Sequence, residues 1–562
     1  MCSLHCEAGI GSSLALREIR PSLLHWACEL DKYISLHGRR FSKAEHLRLV
    51  RIFFDVVLIP GLEYRMVKTF SHVVCLLLEK RELLSPEDLQ LEWRPLYDLY
   101  AELAFKNMEE DGTMLLPEGI SQSIEICIGR CRPYFGPEAT QEILNLQRPY
   151  LCPWDVSMHR GVTCLSMLLP TTLSLEDHTA KGASLWFKEA MHWYAIIQNC
   201  PPWEPKWFQL FARLAKDSPE AVDWRPYYSV IFGRILRSLG LHLGSGVKGG
   251  RVLVGSGSKH FDWDSATLWI AYQLGGQEHQ DVERELESLF QALESYFHPS
   301  NTGKHTEKLL NFLFRLGKQI CLRLHRERHK TADWTPPIRK SKQLTDAQVE
   351  SFVKIVLPCA MAGMFSKVSQ NLSSAALKNL ALLAPRLVVP GVLNKLYGAL
   401  ESLTEPHRLL NSLAALNGCL LPLVRDGGPW DGAAKRAPSP SSALPKQPAK
   451  KTRRHSKAAS VEAEPTLRLH AIPLLNALLP CLDPNDITKA MLAFQALSML
   501  MALVPMVDAS DGVAEVADLS SEERELASAS AGLESFVAQL LDRLFALLEN
   551  LALSSATALH GS

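Results

Sequence analysis

A few short patterns in this sequence have the residue types for chemistry, and each can be set against what its reaction needs. Gly244, Gly246 and Gly249 spell G-x-G-x-x-G. That fingerprint holds a dinucleotide only when a strand precedes it and a helix opens after it, so that backbone amides face the pyrophosphate. Here the helical run IFGRILRSLG comes first, and the glycines read as a loop. The run NTGKHT from Asn301 has the look of a phosphate loop, but His298 stands where the first glycine belongs. Cys127 and Cys131 are four apart on an expected helix, which could offer two thiolates. No second Cys or His pair lies at finger-like distance, so they read as buried thiols. His325 and His329 lie in LHRERHK without the glutamate of H-E-x-x-H, and their neighbours make this a basic helix face. No G-x-S-x-G elbow occurs, and a triad cannot be recognised without geometry. The expectation is a chain with no catalytic residue, no cofactor and no metal.

One cluster asks for a partner instead. Lys450, Lys451, Arg453, Arg454 and Lys457 lie in a segment rich in Pro, Ser, Ala and Lys. Such a run suits either a nuclear-localisation signal or a solubilising charge run, and the sequence leaves both open. A second basic group, Arg323, His325, Arg326, Arg328 and Lys330, falls at an expected helix end, where positive charge also favours the helix dipole. It reads as structural or as a partner face. The aromatic runs around Trp93, Trp186 and Trp203 have helical or turn spacing and read as core.

The elements that would carry these residues are helices. Leu533, Phe536, Val537, Leu540, Leu541, Leu544, Phe545 and Leu548 step by three and four along one face, which implies one buried side. Leu377, Leu380, Ala381 and Ala384 form a second stripe. It should stop at Pro385 and restart after Pro390 with Leu393, Leu396 and Leu400. Thr404, Glu405 and Pro406 look like a capped helix start ahead of Leu409, Leu413, Leu416 and Leu420. Helix pairs recurring at roughly 40 residues, without a strict consensus, are the footprint of HEAT-type arrays. The short β-prone run Arg251 to Val254 has no sheet to join. The fold class expected is therefore all-α, a HEAT/armadillo-like α-solenoid of helical hairpins.

Composition agrees. A chain of 562 residues exceeds what one core can use. Lys+Arg and Asp+Glu both number 60, which argues against a surface built wholly for nucleic acid or anionic membrane. No direct nucleic-acid binding and no membrane association are expected. Thirteen scattered cysteines read as reduced thiols, and no export signal or apolar span is visible. The organisation expected is a loose N-terminus over 1–20, a HEAT-like solenoid over 21–290, and a further HEAT-like region over 291–425. A disordered basic loop over 426–465 follows, then renewed solenoid over 466–552 and a loose tail over 553–562.

Several uncommon strings carry a family resemblance. They include GRRFSKAEH from Gly38, ELLSPEDLQLEWRPLYDLY from Glu82 and CRPYFGPEATQEILNLQRPYLCPWDVSM from Cys131. Further on come LPTTLSLEDHTAKGASLWFKE from Leu169, DWRPYYSVIFGRILRSLGL from Asp223 and SYFHPSNTGKHTEKL from Ser295. ALESLTEPHRLLNSLAAL from Ala399 and LDPNDITKAMLAFQALSMLMALVPMVD from Leu482 close the set. In this order the strings resemble the large HEAT-repeat proteasome activator family, of the proteasome activator complex subunit four type, over its N-terminal third and the start of its middle region.

The resemblance implies a HEAT-repeat shell that caps the proteasome core particle, contacts its α-subunit ring and favours ATP-independent entry of peptides or unfolded chains. It implies a non-catalytic regulator in nucleus and cytoplasm, with a link to DNA repair and, through family regions beyond those matched here, to acetylated histones. The family's C-terminal anchoring motif has no match in Leu559 to Ser562, so the chain as given is expected not to open the gate efficiently alone. A HEAT-repeat nuclear transport or scaffold protein, binding cargo or a small GTPase, is the alternative.

Overall fold

The computed structural model describes residues 2–16, 22–105, 119–152, 154–155, 157–196, 204–239, 241, 262–301, 304–329, 334, 338–401, 405–426, 466–513, 516 and 519–560. These are helical almost throughout. Among them there is no strand, only an isolated parallel bridge between Leu91 and Phe135, closed by the Leu91 amide donating to the Tyr134 carbonyl at 2.8 Å. Start signals are local and chemical. Ser42 with Glu45, Thr345 with Gln348, and Ser520 with Glu523 each form a reciprocal capping box, which satisfies amides that the first turn leaves without partners.

The chain divides into two units, one of residues 1–273 with 330–343, the other of residues 274–329 with 344–562. The first holds α1 (Cys2–Ala15), α2 (Leu24–His37), α3 (Lys43–Val57), α4 (Tyr64–Leu78), α5 (Trp93–Ala104), α6 (Ile120–Cys131) and α7 (Ala139–Gln147). It continues with α8 (Ser157–Leu168), α9 (Leu175–Ala180), α10 (Phe187–Ile196), α11 (Glu204–Asp217), α12 (Tyr228–Ser238) and α13 (Trp263–Gln273). Helices one hairpin apart pack side by side: α2 on α4, α4 on α6, α6 on α8, α8 on α11, and α11 on α13. An aromatic core fills the later hairpins. Phe187 meets Trp224 at 4.9 Å and Trp224 meets Trp269 at 5.7 Å between ring centres, both edge to face, the geometry that ring quadrupoles favour. Residues 330–343 join this unit through Trp334, whose indole donates to the Tyr134 hydroxyl at 3.3 Å beneath the Arg81 guanidinium, and through an Arg339–Glu220 ion pair.

The second unit holds α14 (His279–Leu293), α15 (Lys304–Arg328), α16 (Asp346–Gly363), α17 (Gln370–Leu383), α18 (Pro385–Glu401) and α19 (Pro406–Arg425). After them come α20 (Ala471–Leu478), α21 (Ile487–Leu503), α22 (Ser521–Ala529) and α23 (Leu533–His560). One layer runs α15, α17, α19, α21, each packed on the next, and a second layer runs α14, α16, α18. Leu377, Leu380 and Ala381 of α17 and Leu409, Leu413, Leu416 and Leu420 of α19 are buried between the layers. This is the all-α solenoid of helical hairpins that the periodicity predicts.

Three local expectations are corrected. The helix after Leu383 resumes at Pro385, not beyond Pro390. Ala384 supplies the break at φ −142°, and Pro385 takes the first helical position, where a missing amide costs nothing. Pro390 then lies inside α18. Glu405 precedes α19 without a side-chain cap, so Pro406 alone marks that start, and Thr404 lies outside the described residues. The stripe on α23 is only half covered: Leu533, Phe536 and Leu540 are buried, while Val537, Leu541, Phe545 and Leu548 are exposed.

Candidate functional site

Lys450, Lys451, Arg453, Arg454 and Lys457 lie outside the described residues, as do Gly244, Gly246, Gly249, Trp203 and the run Arg251 to Val254. Lys330 of the second basic group, and Thr302 and Gly303 of the run from Asn301, also lie outside them. Cys127 and Cys131 are buried on α6. Hydrogen bonding with Cys131, and burial, raise the Cys127 thiol well above its ordinary range. Cys75 of α4 is likewise pushed up, first by its hydrogen bond with Cys127 and then by burial. Thiols held protonated are poor nucleophiles and poor ligands. Among the described residues no group of three or more His, Cys, Asp or Glu is arranged to hold a metal ion. Trp93 and Trp186 are core residues, and the Trp93 indole donates to Glu142 at 2.7 Å.

His325 sits in the last turn of α15 and His329 just past its end, with ring centres 5.1 Å apart. Arg323 departs from that basic face and is 1% exposed. Its Nε donates to Glu327 Oε1 at 2.7 Å and its Nη1 to the Leu274 carbonyl at 2.6 Å. The other Glu327 oxygen accepts the Leu344 amide at 3.0 Å. A buried charge needs such a closed set of partners.

One pairing has the residue types of a nucleophile and its base. His178 Nε2 lies 3.0 Å from Ser218 Oγ, both buried. The hydrogen bonds exclude that role. The Ala183 amide donates to His178 Nδ1 at 3.3 Å, so the ring proton sits on Nε2 and points at Ser218 and the Thr171 carbonyl. Ser218 in turn donates to Thr171 O at 2.9 Å. Burial lowers the His178 pKa, which keeps this neutral tautomer. A base needs its lone pair on the serine; here the pair pins a turn. That turn is tight enough to require Gly182, where a Cβ would come within 2.8 Å of the His178 Cα.

Sequence reasoning missed a second polar centre, this one half-buried. The carboxyl end of α8 is met by two guanidinium groups. Arg132 donates to Met167 O at 2.6 Å, and Arg213 donates to Ser166 O at 2.6 Å and Leu169 O at 2.8 Å. Arg213 Nε also reaches Thr171 Oγ1, which donates to Asp217 at 2.6 Å. Burial brings the Arg132 pKa down to about 10 and lowers that of Arg213 as well, helped by Arg132 itself. The signal was present: Arg213 stands among Leu210, Phe211, Ala212, Leu214 and Ala215, all buried.

The outer surface has two further features. An open groove of ≈ 930 Å³ between α2 and α4 mixes Asp31 and Glu63 with Lys32, Arg65, Lys68 and His72, so no single sign of charge dominates it. Apolar stripes lie open on α21 and α23. Among the described residues no helix is long and apolar enough to cross a membrane.

The comparisons with known proteins agree with one another. The profile of the mid HEAT repeats region of proteasome activator complex subunit 4 matches residues 286–428 and 458–561. Proteasome activator complex subunit 4 of Xenopus laevis is 40% identical over 548 residues, which cover 97% of this chain and 28% of the frog protein. The Homo sapiens protein of the same name is 39% identical over 545 residues, again 97% of this chain and 27% of its own length. Proteasome activator subunit 4 of Arabidopsis thaliana is 27% identical over 512 residues, 87% of this chain and 25% of its own. An engineered protein of known structure aligns at 12% identity over 81% of this chain and 98% of its own, with a TM-score of 0.23, too low to bear on the fold. The chain thus spans under a third of the length of the relatives it matches, yet nearly all of it is matched in sequence to them. It belongs to the proteasome activator complex subunit 4 family.

Proposed function

We propose that this chain works as part of a proteasome activator: it binds the α-subunit ring at the end of the core particle and favours ATP-independent entry of peptides and unfolded chains. The observation that carries the reading is identity of 40% maintained across 97% of the chain to a protein of that name. Generic similarity between helical repeats does not sustain identity over such a length. The fold supports the mechanism. Stacked hairpins present long, stiff surfaces on which many weak contacts add up. Such binding alters a gate only through unequal affinity for its closed and open states. No bond-making step falls to any residue of this chain.

The finer parts of the reading are the chain's presence in nucleus and cytoplasm, with Lys450, Lys451, Arg453, Arg454 and Lys457 as the nuclear-localisation cluster, and acetylated histones among the substrates. The decisive experiment mixes the purified chain with purified core particle without ATP and follows co-elution and fluorogenic-peptide hydrolysis. Co-elution with the core particle is expected. Its absence at micromolar concentrations, with retention of nuclear-transport factors instead, would overturn the reading. Reporter fusions with the five basic residues changed to alanine test the localisation cluster, which fails if nuclear import is unchanged.

A further inference from the structure

The chain as a whole is formally neutral, yet its second unit sorts charge by layer. The helices α15, α17, α19 and α21 together carry eleven lysines and arginines against two glutamates, whereas α14, α16 and α18 carry four against seven aspartates and glutamates. Several of the eleven are neutralised within the fold: Arg323 pairs with Glu327, Arg328 with Asp346, Arg408 with Glu405 and Lys489 with Asp483. Most of the remainder lies on α15.

Close packing brings part of this surplus together. A Cβ on Gly317 of α15 would lie 3.1 Å from the Asn379 Cβ of α17, and the Asn379 side-chain amide donates to Phe314 O at 3.2 Å. Lys318 and Lys378 adjoin these two contact residues in sequence, so both stand at the same crossing. Both are exposed, and among the described residues neither forms an ion pair or a hydrogen bond through its ammonium group. Of the layer's two glutamates, Glu327 is held by Arg323. The other, Glu307, lies eleven residues before Lys318, which is about 16 Å along the helix and beyond the Debye length of about 8 Å at physiological salt. It does little to offset the two lysines.

We propose that the exposed face of α15 and α17 built on Lys318, Leu322 and Lys378 binds an acidic polypeptide segment, one in which carboxylates flank an apolar side chain. Charge complementarity calls for the carboxylates, which would sit on the two ammonium groups. Leu322 calls for the apolar side chain: it stands one turn beyond Lys318 and is 52% exposed, an apolar contact bordered by positive charge. Nucleic acid fits less well. Among the described residues of α15, α17 and α19 no exposed Phe, Tyr or Trp offers a base a stacking surface. Attraction between exposed charges sets encounter and orientation more than affinity, so the complex is weak and sensitive to salt. The inference stands on charge and packing and is independent of the activator reading, since its test does not involve the core particle.

The probe is a fluorescein-labelled synthetic peptide of repeating Glu-Leu-Glu-Ala units, mixed with the full chain and followed by fluorescence anisotropy. Binding at micromolar concentrations is expected, weakening several-fold as salt is raised to physiological strength. The double variant Lys318→Glu, Lys378→Glu should weaken it about tenfold or more, and Leu322→Ser should weaken it less. Lys354→Glu with Lys395→Glu makes the same change of net charge on exposed lysines of α16 and α18 and should leave binding unchanged. Unaltered circular dichroism melting curves of both double variants separate lost binding from lost folding. A peptide bound no better than its glutamine counterpart overturns the proposal, as do equal losses in the two double variants. Tighter binding of a single-stranded oligonucleotide than of the peptide overturns it too.

Discussion

Arg132 and Arg213, 81 positions apart in sequence, converge on the carboxyl end of one helix. The first donates to Met167 O and the second to Ser166 O, each at 2.6 Å. The last carbonyls of α8 have no amide of their own helix to accept from, and the negative end of the helix dipole favours positive charge there. Each guanidinium meets its neighbour's like charge, and Asp217, tied in through Thr171, offsets part of it.

Replacing Arg213 should therefore be costly. Arg213→Met strands two carbonyls and removes a donor from the Thr171 hydroxyl, and is expected to lower stability by about 3 kcal/mol. Arg213→Lys should recover little of it, since one ammonium cannot reproduce a planar fork. Urea unfolding followed by circular dichroism measures both; a loss below about 1 kcal/mol for the methionine variant would show the cap to be dispensable.

Arg323 and Glu327 invite a different comparison. Both side chains are nearly fully buried, at 1% and 2% exposure. Glu327→Ala leaves a guanidinium without its counter-ion and should cost about 3–5 kcal/mol. Changing both residues to methionine should cost much less, because the desolvation of two charges is removed along with their attraction. Equal losses in the single and double variants, measured by denaturant midpoints, would contradict this.

Acid should weaken the fold through buried imidazoles. His46 donates from Nε2 to Leu77 O at 3.0 Å, and burial lowers its pKa from 6.5 to about 4. His178 and His279 shift in the same direction, also through burial. Between the two pKa values the unfolded chain binds more protons than the folded one, so stability rises with pH. The contribution is complete above about pH 6.5 and is lost as pH falls toward 4, on the order of 3 kcal/mol for His46. His46→Gln, which keeps a donor for Leu77, should flatten the dependence of unfolding midpoint on pH between 7 and 5. An unchanged slope would show that His46 does not contribute to it.

Gly182 is a steric test. A methyl group there would lie 2.8 Å from both the Cα and the Nδ1 of His178. The His178 backbone cannot give way without disturbing the Ala183 and Ser218 contacts, so Gly182→Ala should cost about 2 kcal/mol. A wild-type melting temperature for that variant would mean that the turn adjusts freely.

How much of this could be read beforehand follows from what each signal measures. Leucine spacing in α17 and α19 located helices and their buried sides, since burial requires a stripe at the helical period. The same spacing on α23 predicts one buried face. Periodicity records which sector is apolar, not whether a neighbour covers it. In sequence Arg323 groups with the basic residues around it because charge carries no information on depth; Glu327 four positions later is the available clue. Pro390 reads as a barrier because its ring opposes helix within the preceding turn, a cost that tertiary packing on α16 and α19 overrides. The Arg132–Arg213 pairing was out of reach, since it depends on three segments meeting.

The layered packing of α15, α17, α19 and α21 also has a kinetic consequence. A helix with neighbours on both flanks must break two interfaces to open, whereas α21, bare along Ile487, Met491 and Phe494, must break fewer. Amide protons should therefore trade with deuterium faster in α21 than in α19 and α17, whose flanks are both covered.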